Sequence, residues 1–577
     1  MAIKSQLTGF LKIIKKVPIK LNEVFFIKNC SKVDNFIIEP GIVSKNCSTS
    51  LELGIDIGTI DAVVQISSPK SVTRAIQRIG RSGHSYYDTS RGYIISVSRD
   101  DLIENTVIAK GILERKLDKI HIPKNCLDVL VQHIIGMALE KKWDVDEAYN
   151  VIKRSYVYKD LKKEDFISLL RYLSGKYVEL TLRKIYAKIW YDEEDNKFGR
   201  RGKMLRVILF TNTGTIPEEV KIDVYLRGTR KYLGSIEEEF LERLRPGDIF
   251  VLGGKPYLFV YSKGTKAFVE NAIGQNPTIP AWFSELLPLS FDTALEVGKF
   301  RRIVKEKILK EKREDVIKWI VDNYPVERKE ATIIYEYIKE QLDYVGVVPN
   351  DKELLIEESE DLKGRKLVIF HFLFGRRVNN LLSRVIAYMI SRKIYSNILI
   401  YLNDYGFAFI LPRYMNIDFE KLLKDLTLDK LEEYARKAIR HTELFRIRFR
   451  HVANRGLLVL RAYGGKKIKI SKQQLRAETL LNVLERFSPD FPLIKETYRE
   501  ILEDVMDIEN ARKVLNWIKN GEVCIKKAVT PIPSPFAHNL IVFSYEDILR
   551  IEERQKILRK LHDLILEKIN KPKYYKK

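Results

Sequence analysis

Residues 47–84 read CSTSLELGIDIGTIDAVVQISSPKSVTRAIQRIGRSGH, and the interpretation of the 577-residue chain turns on this stretch. Two blocks stand out, Ser48–Gly58 (STSLELGIDIG) and Gln77–His84 (QRIGRSGH). Between them, Ala62–Ile66 is a short β-branched run of the kind that makes a buried strand. The order is strand and loop, strand, loop, then a helix carrying arginines. Phosphoryl transfer asks little covalent work of a protein and much placed positive charge. Arg81 can supply that charge as a planar fork, and Arg78 is a neighbour of the same kind. Gly80 and Gly83 allow close backbone approach. Ser48, Thr49 and Ser50 can donate to phosphate oxygens, which positions a polynucleotide without reading its sequence.

At this spacing the two blocks resemble motifs V and VI of superfamily 2 helicases. In detail they resemble the large helicase-related (Lhr) family, and its archaeal members above all. The resemblance rests on Gln77, on a single finger arginine at Arg81, and on His84 where many relatives carry a second arginine. It implies that Gln77, Arg78 and Arg81 belong to the catalytic set. It places Gly54, Asp56, Gly80 and His84 by ATP, and Thr49 and Ser50 by the nucleic-acid backbone. ATP with Mg²⁺, a DNA track and 3′-to-5′ movement follow from the family, not from the residues alone.

Two signatures of such a motor are missing from this sequence. No GxxxxGK[ST] occurs; Gly253–Lys255 is followed by Pro256, and Gly464–Lys466 by Lys467. Asp192–Asp195 follows the apolar run Ile185–Tyr191 but no histidine completes a DExH box, and Asn196–Gly202 reads as a hairpin turn. The first RecA-like lobe is therefore not expected in this sequence: either a split gene supplies it on a second polypeptide joined in trans, or the gene is interrupted. ATP and Mg²⁺ are expected mainly on that lobe, and this chain alone is expected not to hydrolyse ATP. Val24–Asn46 (VFFIKNCSKVDNFIIEPGIVSKN), followed by Cys47, resembles the C-terminal end of an intein. That chemistry needs an asparagine amide that attacks its own carbonyl and a nucleophile just beyond, the places of Asn46 and Cys47. Lys45 stands where a histidine commonly assists. A plain hairpin with a buried Cys47 is the competing reading.

Bulk properties agree with a polyanionic partner. The formal net charge is +24 and the pI about 9.5. No run of 18 apolar residues and no signal peptide is evident, so a cytoplasmic protein without membrane contact is expected. Four cysteines without a CxxC pair predict neither a disulfide framework nor a zinc or iron–sulfur site.

Beyond Ser96 the periodicity turns helical, with helices expected over Asp100–Asp118, Leu127–Leu139, Asp144–Tyr156 and Lys162–Leu173, then a strand at Tyr177–Leu180. This suits the winged helix that the resemblance places here. From Lys184 strands are expected at Ile185–Tyr191, Met204–Thr211, Lys221–Leu226, Ile249–Leu252 and Tyr257–Tyr261. Trp190 beside Arg200, Arg201 and Lys203 can grip a single strand by stacking and charge, as a family tryptophan does; a core tryptophan is the competing reading. Further on, Arg301–Tyr324 reads as one long helix, and Ile398–Leu402 and Phe407–Leu411 as a strand pair. Arg446, Arg448, Arg450 and Arg455, and then Lys466, Lys467, Lys469, Lys472 and Arg476, are candidate phosphate contacts. PSPFAH (Pro533–His538) resembles a family signature without an evident physical role.

The chain is thus expected to be multidomain, α/β and α+β. The expected parts are an intein segment at 1–46, the end of a RecA-like lobe at 47–105 and a winged helix at 106–183. A β-barrel-like accessory module at 184–300 and an α+β remainder at 301–577 complete it. Two functions stay open. One is the C-terminal half of an ATP-dependent DNA helicase acting on single-stranded or partly duplex DNA. The other is a non-catalytic basic nucleic-acid-binding fragment, and RNA in place of DNA is open in either case.

Overall fold

The computed structural model describes residues 35–38, 42–45, 62–83, 89–177, 180, 185–218, 220–253, 255–272, 287–360, 364–394, 398–543 and 551–570. Asn46, Cys47, the block Ser48–Gly58 and His84 lie outside them. Ahead of that block, Asn35–Ile38 and Ile42–Lys45 pair antiparallel, Asn35 opposite Lys45.

Val63–Ile66 pairs in parallel with Gly92–Ile95. Parallel neighbours need a crossover, and the helix Val72–Ile79 provides it. Ser71 caps that helix by accepting from the Arg74 N–H at 3.1 Å. Gly92 faces Ile79, where an added Cβ would come within 2.5 Å of the isoleucine side chain. The next helix, Arg99–Leu113, is buried on two sides. Ile108 packs on Val72 and Ala75, while Leu102, Ile103 and Val107 enter a second core with Val297, Phe300 and Phe536. Its buried acids all have partners: those of Asp101 are Ser67, Ser68 and Val97, and those of Asp100 lie across that seam. Asp100 accepts from Tyr337 Oη at 2.8 Å, from Asn539 at 2.5 Å and from Arg301 at 3.3 Å.

Helices Leu127–Glu140, Val145–Lys153 and Lys163–Leu173 surround a three-stranded sheet of Trp143–Asp144, Lys197–Arg200 and Ile189–Asp192. Helix, short strand, two helices and a β-hairpin make a winged helix. The wing differs from expectation. Of Tyr177–Leu180, expected as its strand, Tyr177 and Leu180 are described, and the Leu180 N–H donates to the Tyr177 carbonyl at 3.1 Å. The hairpin turns at Glu193–Asn196 rather than at Asn196–Gly202, because Asp192 Oδ1 accepts from the N–H groups of Glu194 and Asp195. Asp192–Asp195 is therefore the tip of the wing.

Met204–Thr211, expected as a strand, is the helix Leu205–Asn212. The apolar run fits both periods, and the inward-facing set Leu205, Ile208, Leu209 and Asn212 has helical spacing. Asn212 ties the helix to Arg461 and Ala462 through both amide atoms. Beyond it lies a five-stranded sheet in the order 249–252, 255–263, 266–271, 221–226 and 232–237. Among the described residues its pairing is open, and the barrel expected there is not seen. Arg301–Tyr324 is not one helix but parts of two, Phe291–Lys310 and Arg313–Asn323, separated at Glu311–Lys312.

A second five-stranded sheet runs 399–403, 406–411, 366–371, 353–360 and 524–529, antiparallel except for the last pair. Its hairpin at Asn403–Gly406 falls where the sequence placed it. Glu357, fully buried at its centre, accepts from His371, Thr530 Oγ1, Ser534 N–H and Ser534 Oγ at 2.6–2.8 Å. Phe536 N–H donates to Gln341 at 3.1 Å. The segment Pro533–His538 thus fastens the sheet to the helix Arg328–Val345, which gives that motif a structural role.

Three arginines of 446–455 correct another expectation, while Arg446 stays part exposed beside Glu443 of its own helix. Arg450 is 1% exposed and paired with Glu238 at 2.7 Å, Arg448 pairs with Glu242 at 2.8 Å, and Arg455 with Asp128 at 2.5 Å. Their charge is used inside the fold and is not offered to phosphate. Lys466, Lys467, Lys469, Lys472 and Arg476 are all exposed.

Burial pushes the His538 imidazole from 6.5 down to about 3, so the folded protein holds it neutral. The unfolded chain protonates it below 6.5, so its contribution to stability is complete above that pH and fades as pH falls towards 3. Between pH 6.5 and 5 it should cost the fold about 2 kcal/mol. Denaturant titrations at the two pH values should show His538→Asn less sensitive than the parent by that amount. Equal pH sensitivity would contradict the assignment.

Candidate functional site

The arginine helix is held at both ends. At its C-terminal end Gly80 stops it, donating back to the Ile76 carbonyl at 2.8 Å. Ser82 Oγ donates towards Ile79 and Arg91 and accepts from the Arg91 N–H at 2.7 Å. Gly83 follows at φ +93, a conformation glycine adopts without strain. Arg81 therefore sits on a turn fastened to the neighbouring strand, part exposed. Gln77 is exposed one turn earlier, and Gly80 is exposed between them. Arg78 points elsewhere: it is 8% exposed and donates to Gln65 Oε1 at 2.9 Å, bracing its own strand and helix.

At the N-terminal end the helix is bolted to the C-terminal part of the chain, which sequence reasoning missed. Asp118 accepts from Thr73 N–H at 2.9 Å, Thr73 Oγ1 at 3.2 Å, Thr293 Oγ1 at 2.8 Å and Ser290 Oγ. Burial would raise its carboxyl, but these hydrogen bonds outweigh it and hold it below the usual range. Arg74 donates to the Pro288 carbonyl at 3.2 Å. Ser290 N–H donates to the Lys70 carbonyl at 3.0 Å. The Lys70 ammonium lies 3.1 Å from Glu104 and 3.3 Å from Asp404, and Tyr405 Oη donates to Glu104. Burial disfavours that ammonium, yet Glu104 and Asp404 together raise its pKa. Burial lifts Glu104, against the pull of Lys70. The one local signal was Ser290, two residues after Pro288 and at the start of a helix.

The wing is the second candidate surface. Trp190 pairs with Gly199 across the hairpin and lies over it, so that a Cβ at Gly199 would meet the indole at 2.9 Å. Trp190 is half-buried, and Lys142 Nζ stands 5.9 Å from its ring centre. Arg200 pairs with Ile189, one position along, so Trp190 and Arg200 lie on opposite faces of the hairpin. Arg200 donates to the Gly202 carbonyl at 3.0 Å. Arg201 and Lys203 are exposed. The structure thus gives Trp190 a cation that was not expected, Lys142, and separates it from one that was.

Among the described residues one carboxylate group has a metal-like arrangement, Asp128, Glu496 and Glu500. It is filled by arginines instead. Arg455 reaches Asp128 and Glu500, and Arg499 reaches Glu496 at 2.8 Å. Burial beside Asp128 pushes Glu496 up to about 8, a protonatable group rather than a ligand. The described residues near Arg81 therefore suit the charge of a phosphate but provide no Mg²⁺ ligand set. No described helix is long and apolar enough to cross a membrane.

A crossover helix ending in a braced arginine is followed by a winged helix, and both fall inside regions that match known families. The helicase conserved C-terminal domain matches residues 46–85. The winged-helix domain of large helicase-related proteins matches residues 110–279, and the DEAD/H associated family residues 348–537. The chain is thus similar to the C-terminal parts of large helicase-related proteins. It is 51% identical over 522 residues to ATP-dependent helicase Lhr-Core protein 2 of Thermococcus barophilus, covering 90% of this chain and 60% of that protein. It is 47% identical to ATP-dependent helicase Lhr-Core of Methanothermobacter thermautotrophicus, covering 91% and 60%. The solved structure of Mycobacterium smegmatis helicase Lhr bound to ssDNA and AMP-PNP superposes with TM-score 0.66 at 25% identity, over 85% of this chain and 58% of that one. The chain therefore spans about three fifths of the curated relatives it matches.

Proposed function

We propose that this chain is the C-terminal half of an ATP-dependent 3′-to-5′ DNA helicase or translocase. The observation that carries the reading is Arg81, held part exposed on a turn fixed by Ser82, at the end of a helix that Asp118 braces. A guanidinium carried on so fixed a turn can meet the charge that builds on a γ-phosphate. ATP and Mg²⁺ would be bound mainly by a first lobe carrying the P-loop, with Gln77, Gly80 and His84 and the block holding Gly54 and Asp56 facing it. Ser48, Thr49 and Ser50 would contact the tracked strand. The first lobe would come from a second polypeptide ending in an intein N-terminal half. In that joining, Asn46 would cyclise and Cys47 would become the first residue retained. Mixing the two should yield a ligated product by mass, and Asn46→Ala should block release of residues 1–46. Ligation that is indifferent to Asn46 would sink the splicing reading but not the motor.

The wing would hold single-stranded DNA, with Trp190 stacking and Arg201 and Lys203 meeting phosphate. Trp190→Ala should weaken binding of a thymidine 20-mer by about 1–3 kcal/mol with the salt slope unchanged. Arg201→Ala should lower that slope by about one. If both variants bind like the parent at every salt concentration, the wing is not the grip. A uridine 20-mer in parallel separates a DNA from an RNA track.

A further inference from the structure

The sheet formed by residues 221–271 buries one face and leaves the other with an unusual content. Inward, Ile222, Val224, Phe259 and Val269 pack with Phe250 and with Ile447 of the helix Glu443–Arg455. Outward, the register lines four aromatic residues in one row across four adjacent strands. Tyr261 is opposite Phe268, Phe268 opposite Tyr225, and Tyr225 opposite Tyr232. Irregularities at Phe259/Tyr261 and Val224/Tyr225 bring the rings into that row. Tyr261 and Phe268 are stacked with centres 4.8 Å apart and planes at 22°. Phe268 and Tyr225 are 6.1 Å apart, and Tyr225 and Tyr232 5.7 Å.

Cross-strand aromatic pairs stabilise a sheet, but that does not need four in a row on the outward face. The terminal rings are well exposed, Tyr232 at 55% and Tyr261 at 40%. Cations surround them. Lys266 Nζ lies 5.0 Å over the Tyr225 ring, Lys263 is its cross-strand partner, and Arg230 and Lys231 sit in the hairpin beside Tyr232. Of the acids on this face, Glu270 is paired with Arg227 at 2.8 Å. Aromatic faces with lysine and arginine at their edges are what unstacked bases and their phosphates bind. A duplex, whose bases are already stacked, cannot use them.

We propose that this outward face is a second, sequence-tolerant binding site for single-stranded nucleic acid, with bases stacking on the Tyr261–Phe268–Tyr225–Tyr232 row. The site is separate from the Trp190 wing and does not depend on ATP or on a partner lobe. It gives the chain a place to hold a strand beyond the wing.

The test uses the full chain and a fluorescent thymidine 20-mer read by anisotropy at several salt concentrations. The double variant Tyr232→Leu/Tyr261→Leu keeps apolar cover on the sheet and removes the rings. It should bind about tenfold or more weaker, with the salt slope unchanged and the thermal midpoint close to the parent's. Tyr232→Phe/Tyr261→Phe should bind like the parent, because stacking needs the ring and not the hydroxyl. Ultraviolet crosslinking should yield labelled peptides from 221–271 in the parent and in Trp190→Ala. Parental affinity in the leucine double variant overturns the proposal, as does crosslinking confined to 189–203. Weakening in the phenylalanine pair equal to that in the leucine pair overturns it too, and so does a protein partner that binds this face while single strands do not.

Discussion

Replacing Arg81 by alanine should lower the DNA-stimulated ATPase of the two-part enzyme by about 10³-fold or more, the range over which a finger arginine acts in phosphoryl transfer. Binding of single-stranded DNA should be unchanged, because the expected strand contacts lie elsewhere. Arg78→Ala is the informative comparison. That guanidinium is buried against Gln65, so its loss should appear first as lower stability and only through that as lower activity. Steady-state ATPase against thermal midpoint separates the two variants. An Arg81→Ala enzyme with the parental rate removes the nucleotide role assigned to this residue.

The second large effect is expected at Lys70. Its ammonium lies between Glu104 and Asp404, whose side chains are 0% and 8% exposed, and Asp404 also faces Arg376. Lys70→Ala leaves buried Glu104 without its counter-charge and Asp404 with Arg376 alone, and should cost about 3–5 kcal/mol in stability. Replacing all three groups by neutral residues of similar size, Lys70→Met with Glu104→Gln and Asp404→Asn, should recover much of that loss. The rate should fall with Lys70→Ala more than the thermal midpoint alone explains, because Lys70 is adjacent to Ser71, the cap of the arginine helix. A midpoint within about 1 kcal/mol of the parent would show that the cluster is not the clamp described.

The arginine helix and the winged-helix region were legible because their signals are local. QRIGRSGH carries its chemistry in eight consecutive positions, and Asp144 caps its helix through two backbone N–H groups as its residue type suggests. The hairpin at 399–411 was readable for the same reason. What failed was long range or degenerate. A run such as Arg446, Arg448, Arg450 looks identical whether its charge meets solvent or Glu238 and Glu242, which lie some two hundred residues earlier in sequence. Leu205–Asn212 is short enough for its apolar run to fit a strand or a helix until its neighbours choose. Asp118 gives no local sign that it joins Thr73 to Ser290 and Thr293. The aromatic row is invisible without pairing, since two irregularities set its register. The strand of Trp190 was legible but its face was not, because only the opposition of Ile189 to Arg200 puts that arginine on the other side.

The account rests on Arg81 completing a nucleotide site whose P-loop is not in this sequence. The most direct measurement is ATP hydrolysis by the 577-residue chain alone, by a polypeptide carrying the P-loop lobe alone, and by the two combined, each with and without single-stranded DNA. The account predicts background rates for each part and a DNA-stimulated rate only for the combination. DNA-stimulated hydrolysis by the first lobe alone, at the rate of the mixture, would contradict it.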